Sequence, residues 1–177
     1  MISTEGWLSL AVEKVSLRRV GMVVFASIIF VNTRAQASEL AAQLASDGFA
    51  AAPISGELEQ NQRTRTLDAF RNGVTTVLVA TDVAARGLDI KGLSAVVSWE
   101  LPTDPDVHLH RVGRTGRAGA SGLALALCSP HEQGRVAALE HAQGTTVRWS
   151  KLPRPDDAHP TRPPMTTLII EGGRQDK

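Results

Sequence analysis

Short apolar runs alternate with stretches of helical spacing along most of this chain. The runs are rich in aliphatic and β-branched residues, as expected of strands covered on both faces, and they occupy residues 28–31, 50–54, 76–80, 95–99, 123–128 and 145–149. Helices are predicted between them, for example over residues 60–72 and 130–143. This alternation predicts an α/β fold, a parallel sheet with helices on both faces. Ligands of such sheets collect at the carboxyl ends of the strands, where Thr33, Thr81 and Asp82 are expected to lie.

Capping residues mark the helix boundaries. Thr33 and Gln36 have the spacing of a capping box, and Gly48 ends the helix that they begin. Asp104 and Pro105 supply an N-cap and a first turn for a short helix that leads into the arginine-rich stretch described below. These local signals place the helices independently of the apolar runs.

Composition changes along the chain predict four segments. Residues 28–150 carry the strand and helix pattern and form one compact domain, a size that suits a chain of 177 residues with 42% hydrophobic content. Residues 1–27 match no clear pattern. Residues 151–164 contain five of the nine prolines and no apolar period, as in an extended linker. Residues 165–177 read as a strand and turn, the start of a further domain.

Neither a membrane span nor a disulfide is expected. The most hydrophobic segment, residues 20–31, is 12 residues long, whereas a helix needs about 20 to cross a bilayer. It also lacks the order of a signal peptide, so the protein is expected to be cytoplasmic. Cys128 is the single cysteine and ends an apolar run, which favours a buried, unreactive thiol.

One stretch concentrates positive charge in a chain whose net charge is only +1. In His110-Arg111-Val112-Gly113-Arg114-Thr115-Gly116-Arg117, three guanidiniums recur at three-residue steps, and glycines precede the last two. Residues three apart are neighbours on a helical surface, so these cations are expected to crowd into one region and to face an anion. Arginine binds phosphate bidentately, which favours a phosphate site. A solvated basic turn is the alternative interpretation.

A second stretch, Thr81-Asp82-Val83-Ala84-Ala85-Arg86-Gly87-Leu88-Asp89, lies upstream. Together the two stretches resemble the last motifs of the DEAD-box RNA helicases, and the resemblance covers roughly residues 28–150. It implies the RecA-like three-layer fold, and the second of two RecA-like domains that bind ATP and RNA in the cleft between them. The ending, with Gly172, Gly173 and Arg174, is similar to the opening of the RNA-binding domain in the DbpA branch of this family. That branch acts in assembly of the large ribosomal subunit.

The resemblance implies a nucleotide site. Arg114 and Arg117 match the catalytic arginine fingers of the family, which reach the γ-phosphate of ATP. His110 and Arg111 match positions that couple this site to the facing domain. Asp89 matches the carboxylate that accepts a hydrogen bond from the ribose, and Gly87 keeps that turn close. A helix or turn cap is the alternative for Asp89.

An RNA site is implied as well, one that holds the sugar–phosphate backbone without reading bases. The matching residues are Thr33, Gly56, Gln60, Arg63, Thr81 and Asp82. The spacing alone makes N-capping of a helix an equally good role for Thr33. Ser55-Gly56-Glu57 stands where the family usually has His-Gly-Asp, which leaves only the backbone amide of Gly56 as a candidate phosphate donor.

The sequence contains neither a Gly-x-x-x-x-Gly-Lys-Thr phosphate loop nor Asp-Glu-Ala-Asp. The resemblance therefore implies that ATP and Mg²⁺ are held mainly by a first RecA-like domain, and no metal site is expected here. The chain alone is expected neither to hydrolyse ATP nor to unwind RNA. Its expected partners are RNA, ribosomal RNA in particular, and that first domain. One alternative is a truncated, non-catalytic module that binds RNA or a protein partner. Another, a DNA helicase of the wider superfamily, is disfavoured by His110 and by the Ala-Ala-Arg-Gly-Leu-Asp string.

Overall fold

The structure, a computed structural model, describes residues 26–88, 90, 93–116, 122–151 and 166–171. Its strands are β1 Ser27–Phe30, β2 Ala51–Ile54, β3 Val77–Ala80, β4 Ala95–Ser98, β5 Leu123–Cys128, β6 Arg148–Lys151 and β7 Thr166–Glu171. Its helices are α1 Arg34–Ser46, α2 Gln60–Arg71, α3 Asp82–Ala85, α4 Pro105–Val112 and α5 Gln133–Gln143, the last preceded by a 3₁₀ turn, Pro130–Glu132.

The strands form one sheet in the order β2-β3-β1-β4-β5-β7-β6. The first five are parallel, with Ile28 of β1 paired to Leu78 of β3 and to Val96 of β4. The predicted parallel sheet is therefore confirmed. Since β1 connects towards β2 and β4 connects towards β5, the chain leaves these two neighbouring strands in opposite directions. Such a reversal places a crevice at the carboxyl ends of β1 and β4.

The helices cover both faces of the sheet, because alternate strand residues point to opposite sides. Ile29 and Val79 pack with Leu40 and Leu44 of α1 on one face. Phe30 and Leu78 pack with α2 and α3 on the other face, where Phe70 is buried. These two groups of packed residues, one on each face of the sheet, confirm the predicted three-layer α/β fold.

The predicted cap signals are confirmed. Thr33 caps α1 with a complete capping box that includes Gln36, and Gly48 follows the end of the helix at φ +91°. Asp104 caps α4, its carboxylate accepting from the Asp106 amide at 2.9 Å. These two helices thus begin where a side chain satisfies backbone donors that have no partner inside the helix.

Strand β7, near the C-terminus, pairs with other strands than the sequence predicts. Residues 165–177 are expected to begin a further domain, yet β7 pairs antiparallel with β5, Leu125 opposite Ile169, and with β6. The open edge of β5 offers unpaired backbone groups, and β7 satisfies them. A further RNA-binding domain stays a prediction. Residues 1–25 and the linker residues 152–165 lie outside the described residues.

The buried thiol is confirmed. Cys128 is fully buried at the end of β5, and burial, followed by the neighbouring Glu132 carboxylate, raises the pKa of its thiol to about 11. A thiol with this pKa stays protonated at neutral pH and is a poor nucleophile. Within the described residues, no helix combines the length and the apolar character needed to cross a bilayer.

Candidate functional site

The carboxyl end of β3 leads directly into α3. The Thr81 hydroxyl caps this helix by accepting from the Ala84 amide at 3.3 Å, and Thr81 is itself buried. Asp82 is the first residue of α3 and keeps 30% of its side chain exposed. As expected, Thr33 after β1 and Thr81 with Asp82 after β3 lie at the same edge of the sheet.

Arg111 is buried at this edge and binds Asp82. Its Nε and Nη2 donate to Oδ1 and Oδ2 of Asp82 at 2.9 and 2.7 Å, and its Nη1 donates to the Glu100 carbonyl at 3.1 Å. The guanidinium carbon also stacks 5.1 Å from the Phe30 ring centroid. Only 2% of the side chain is exposed. Both side chains are thus engaged within the domain, and ligand contacts by Arg111 or Asp82 stay predictions.

The expected crowding of the arginines on one helical surface is wrong for Arg111 and Arg114. Helix α4 ends at Val112, since the Gly113 amide closes the last turn on the Leu109 carbonyl at 2.8 Å. Arg111 therefore points inward from the helix, whereas Arg114 belongs to the turn that follows. The glycine before Arg114 ends the helix and separates the two guanidiniums.

Arg114 lies half-buried in this turn. Its Nη1 donates to the Leu88 carbonyl at 3.0 Å, and within the described part of the chain it has no carboxylate partner. The next residue, Thr115, is buried and donates from Oγ1 to the Leu93 carbonyl at 2.5 Å. The turn is thus fixed by its neighbours. Most N–H groups of the Arg114 guanidinium form no hydrogen bond with the described residues.

Two further residues predicted at the nucleotide site, Gly87 and His110, lie in the segments next to this turn. Gly87 is exposed just after α3 with φ +78°, a left-handed backbone that favours glycine. His110 is exposed on α4. Asp89 and Arg117 lie outside the described residues, so their roles stay predictions.

The predicted RNA-side residues occupy two neighbouring loops and the start of α2. Thr33 is exposed, and its Oγ1 accepts from the Gln36 amide at 3.2 Å, so the capping role is confirmed. Gly56 and Gln60 are exposed as well. A Cβ added to Gly56 would meet nothing within 4 Å, so no close approach inside the described chain requires glycine there.

Two contacts connect these segments. Arg34, at the start of α1, forms an ion pair with Glu57 in the loop after β2. Arg63 on α2 donates from Nη2 to the Ala84 carbonyl of α3 at 2.9 Å. Arg63 thereby links the predicted Gln-x-x-Arg element to the Thr81–Asp82 element, and this bond leaves its other donors available.

Glu100 is a residue of this edge that sequence reasoning missed. Its carboxylate accepts from the side-chain amides of Asn32 and Gln36, the latter at 3.1 Å, while its carbonyl accepts from Arg111. Glu100 thus joins the loop after β1 to the buried arginine across the crevice between β1 and β4. The position of Glu100 directly after an apolar run could have revealed it, by the rule that singled out Thr33 and Thr81.

His108 is the titratable group most changed by burial in this region. Only 1% of it is exposed, its Nε2 lies 3.1 Å from Gln143 Oε1, and its Nδ1 is buried without a partner among the described residues. Burial lowers the pKa of this imidazole, and the Arg111 charge lowers it further, against an opposite effect of the Gln143 hydrogen bond. The imidazole is therefore neutral at physiological pH and contributes no charge to the edge.

Comparison with known proteins gives a consistent family. The helicase conserved C-terminal domain family matches residues 20–119. The ATP-dependent RNA helicase DbpA of Escherichia coli is 43% identical over 150 residues, which cover 85% of this chain and 33% of that protein. The chain thus spans about a third of the length of this relative.

Solved structures agree. The C-terminal domain of the DEAD-box protein Dbp5 is 38% identical and superposes with a TM-score of 0.64, over 70% of this chain and 72% of that chain. Saccharomyces cerevisiae Dbp5 bound to RNA and ADP BeF3 is 33% identical with a TM-score of 0.67, over 78% of this chain and 35% of that chain. The parallel sheet, the two motif-bearing segments and these matches lead to one assignment: the chain belongs to the DEAD-box RNA helicases, as a C-terminal RecA-like domain.

Proposed function

We propose that this chain is the second half of an ATP-dependent RNA helicase and supplies arginine fingers to a triphosphate that another domain presents. The proposal rests on the surroundings of the Arg114 guanidinium. A rigid turn holds its guanidinium through one bond to the Leu88 carbonyl, and no carboxylate of the described residues neutralises it. A half-buried cation that is held in place in this way is suited to a phosphate anion.

The chemistry of phosphoryl transfer agrees with this arrangement. Catalysis of that reaction depends on positioning and charge stabilisation, and an arginine finger typically contributes ~10³ to 10⁵ in rate. Arg114 is pre-positioned by its backbone contact, so little reorganisation is needed when charge develops on the phosphate. Arg117 is proposed as the second finger, and His110, Gly87 and Asp89 as groups around the same nucleotide.

The guanidiniums and backbone amides around Arg114 are better suited to the phosphates of ATP than to Mg²⁺. Guanidiniums and backbone amides bind phosphate oxygens, whereas Mg²⁺ needs oxygen ligands such as carboxylates. Among the described residues, no group of three or more His, Cys, Asp or Glu side chains is placed to hold a metal ion. We therefore assign the metal and most of the nucleotide contacts to the partner RecA-like domain.

RNA is the proposed second ligand, bound through its backbone at the loops of Thr33, Gly56 and Gln60 with support from Arg63, Thr81 and Asp82. Exposed hydroxyls, amides and helix N-termini donate to phosphate without reading bases. The solved structure of Dbp5 with RNA supports this ligand. We also propose ribosomal RNA as the target, a role in large-subunit assembly and a cytoplasmic location, as the resemblance of the sequence to the DbpA branch implies.

A non-catalytic RNA- or partner-binding module is the second candidate. Such a module would bind RNA through the same exposed residues, among them Thr33, Gly56 and Gln60. Mixing the chain with a separately produced first RecA-like domain of E. coli DbpA distinguishes the two. RNA-stimulated ATP hydrolysis by the mixture supports the helicase half, and binding of RNA without hydrolysis supports the module.

Arg114→Ala tests the finger directly. We expect a loss of ~10³-fold or more in RNA-stimulated ATPase of the two-domain protein, with an unchanged thermal transition because a single side-chain bond, to Leu88, holds Arg114 among the described residues. Arg71→Ala is the matched control, since Arg71 forms only an exposed ion pair with Asp68 on α2. Full activity of Arg114→Ala would overturn the assignment, and so would ATPase activity of the isolated chain.

A further inference from the structure

Gly122 lies in a place that leaves no room for a side chain. It directly precedes β5 and lies against the turn that carries Arg114. A Cβ built on Gly122 would overlap the Thr115 Oγ1 and the Gly116 nitrogen, and would lie 2.9 Å from the Gly116 Cα. Two of these three atoms belong to the backbone, so a change of rotamer cannot relieve the overlap.

The turn is also held by Leu93, just before β4. Thr115 Oγ1 donates to the Leu93 carbonyl at 2.5 Å, and the Leu93 amide approaches the Arg114 carbonyl at 3.4 Å. Leu93 and Thr115 are both buried. The turn therefore has no room to move towards β4 when it is pushed from the side of β5.

The sheet fixes the separation of these two supports. Strands β4 and β5 are parallel neighbours with Ala95 opposite Leu123, and the Leu123 amide donates to the Ser94 carbonyl at 3.0 Å. Leu93 and Gly122 thus stand at the amino ends of two paired strands. Residues 114–116 lie against both of them, Thr115 beside Leu93 and Thr115 with Gly116 beside Gly122.

We propose that Gly122 is a positioning residue for the arginine finger Arg114: the absence of a side chain at this position lets the turn sit against the amino ends of β4 and β5 and sets where the Arg114 guanidinium points. A side chain at residue 122 pushes Gly116 outward. Arg114 lies two residues away and loses its aligned bond to Leu88. The catalytic part of this proposal rests on the proposed function, whereas the placement of the turn does not.

The placement is tested on the isolated chain by amide hydrogen exchange. In Gly122→Ala, the Leu93 and Thr115 amides lose protection, whereas the amides of β1 and β3 keep theirs. Gly134→Ala is the matched control, because Gly134 lies near the start of α5, with φ outside the left-handed region, and a Cβ there meets nothing within 4 Å. Unchanged protection at Leu93 and Thr115 overturns the proposal. Global unfolding of Gly122→Ala overturns it as well, since the overlap would then act on the whole domain.

The catalytic consequence is tested in the two-domain protein. A misplacement of about 1 Å can cost on the order of 100-fold in rate, so Gly122→Ala lowers kcat strongly while KM for ATP changes little. In an Arg114→Ala background, Gly122→Ala adds almost no further loss, because both changes act through one group.

These outcomes separate the two hypotheses. Additive losses in the double variant, or a change confined to KM, overturn the positioning role of Gly122. If Arg114→Ala alone leaves the ATPase unchanged, the proposed function fails, and the exchange experiment still decides whether Gly122 places the turn.

Discussion

The Arg111 guanidinium and the Asp82 carboxylate meet through two parallel hydrogen bonds of 2.9 and 2.7 Å. Arg111 lies in the last turn of α4, and Asp82 begins α3, so the pair joins the two motif-bearing segments inside one domain. Arg111 is 2% exposed and Asp82 is 30% exposed. The more deeply buried partner is therefore the cation, which also contacts the Glu100 carbonyl and the Phe30 ring.

Asp82→Asn leaves a buried guanidinium without its counter-charge. Removal of one partner from a buried ion pair costs roughly 3–5 kcal/mol of unfolding free energy, and the partial exposure of Asp82 favours the lower end of that range. Arg111→Lys is expected to destabilise as well, because an ammonium cannot make the two-point contact. Urea unfolding of the isolated chain measures both effects.

The matched control for this pair is Arg71→Lys on α2. Arg71 and Asp68 are 3.3 Å apart with both side chains more than half exposed, and such pairs contribute at most about 1 kcal/mol. Equal losses from Arg71→Lys and Arg111→Lys would show that burial and bidentate geometry do not stabilise the Arg111–Asp82 pair.

Thr33 is a second test case, because its capping role and its proposed RNA contact can be separated. Thr33→Ala removes the acceptor of the Gln36 amide and should cost roughly 0.5–2 kcal/mol of unfolding free energy. Thr33→Asp keeps a good N-cap and should leave the stability close to that of the native chain. The added negative charge should nevertheless weaken RNA binding by the two-domain protein, since it would face phosphates.

Unfolding in urea and RNA titration at fixed salt check these two variants. Ser38→Asp adds the same charge at an exposed position further along α1, so it serves as the control for a general electrostatic effect. If Thr33→Asp binds RNA as tightly as the native protein, Thr33 is a helix cap only.

Glu100 should matter more for stability than its half-exposed position suggests. Glu100→Ala removes the acceptor of both the Asn32 and the Gln36 side chains, and hydrogen bonds to a charged group contribute ~1.5–3 kcal/mol each when they are buried. We expect a loss near the lower value, because this site is partly exposed. Glu57→Ala, which breaks only the exposed pair with Arg34, should cost less in the same urea experiment.

Local signals explain which parts of this fold could be predicted. Strands β1, β3, β4 and β5 lie in contiguous apolar runs, and the caps at Thr33 and Asp104 act over two or three residues. The strands and the caps depend on residues that are close in sequence, so both can be predicted from the sequence. The sequence also predicted the edge of the sheet at which Thr33 and Thr81 lie, because the carboxyl ends of all parallel strands meet at one edge.

Long-range partners explain what could not be predicted. Arg111 and Asp82 are 29 residues apart, and nothing near either one specifies the other. The three-residue spacing of the arginines predicted a shared helical surface, but Gly113 ends the helix first. The pairing of β7 with β5 likewise depends on an open strand edge that exists only after the sheet has formed.

The last prediction concerns pH and His108. Burial, reinforced by the Arg111 charge, lowers the pKa of this imidazole in the folded chain. The unfolded chain takes up a proton at His108 near its ordinary pKa of about 6.5, whereas the folded chain does so only at lower pH. Protonation therefore favours unfolding, and the contribution of His108 to stability is complete above that pH and declines as the pH falls from about 6.5 to the folded pKa.

His108→Gln isolates this contribution, because glutamine is polar but does not titrate. The free energy of unfolding of the native chain should fall by at most about 1.4 kcal/mol per pH unit from this group below neutral pH, and the variant should lack that part of the decline. All other side chains are the same in the two proteins, so their contributions cancel in the difference. Parallel curves of unfolding free energy against pH would mean that His108 takes up its proton as readily in the folded chain as in the unfolded one. Solvent would then reach the Nδ1 atom of His108, although this atom is buried in the structure.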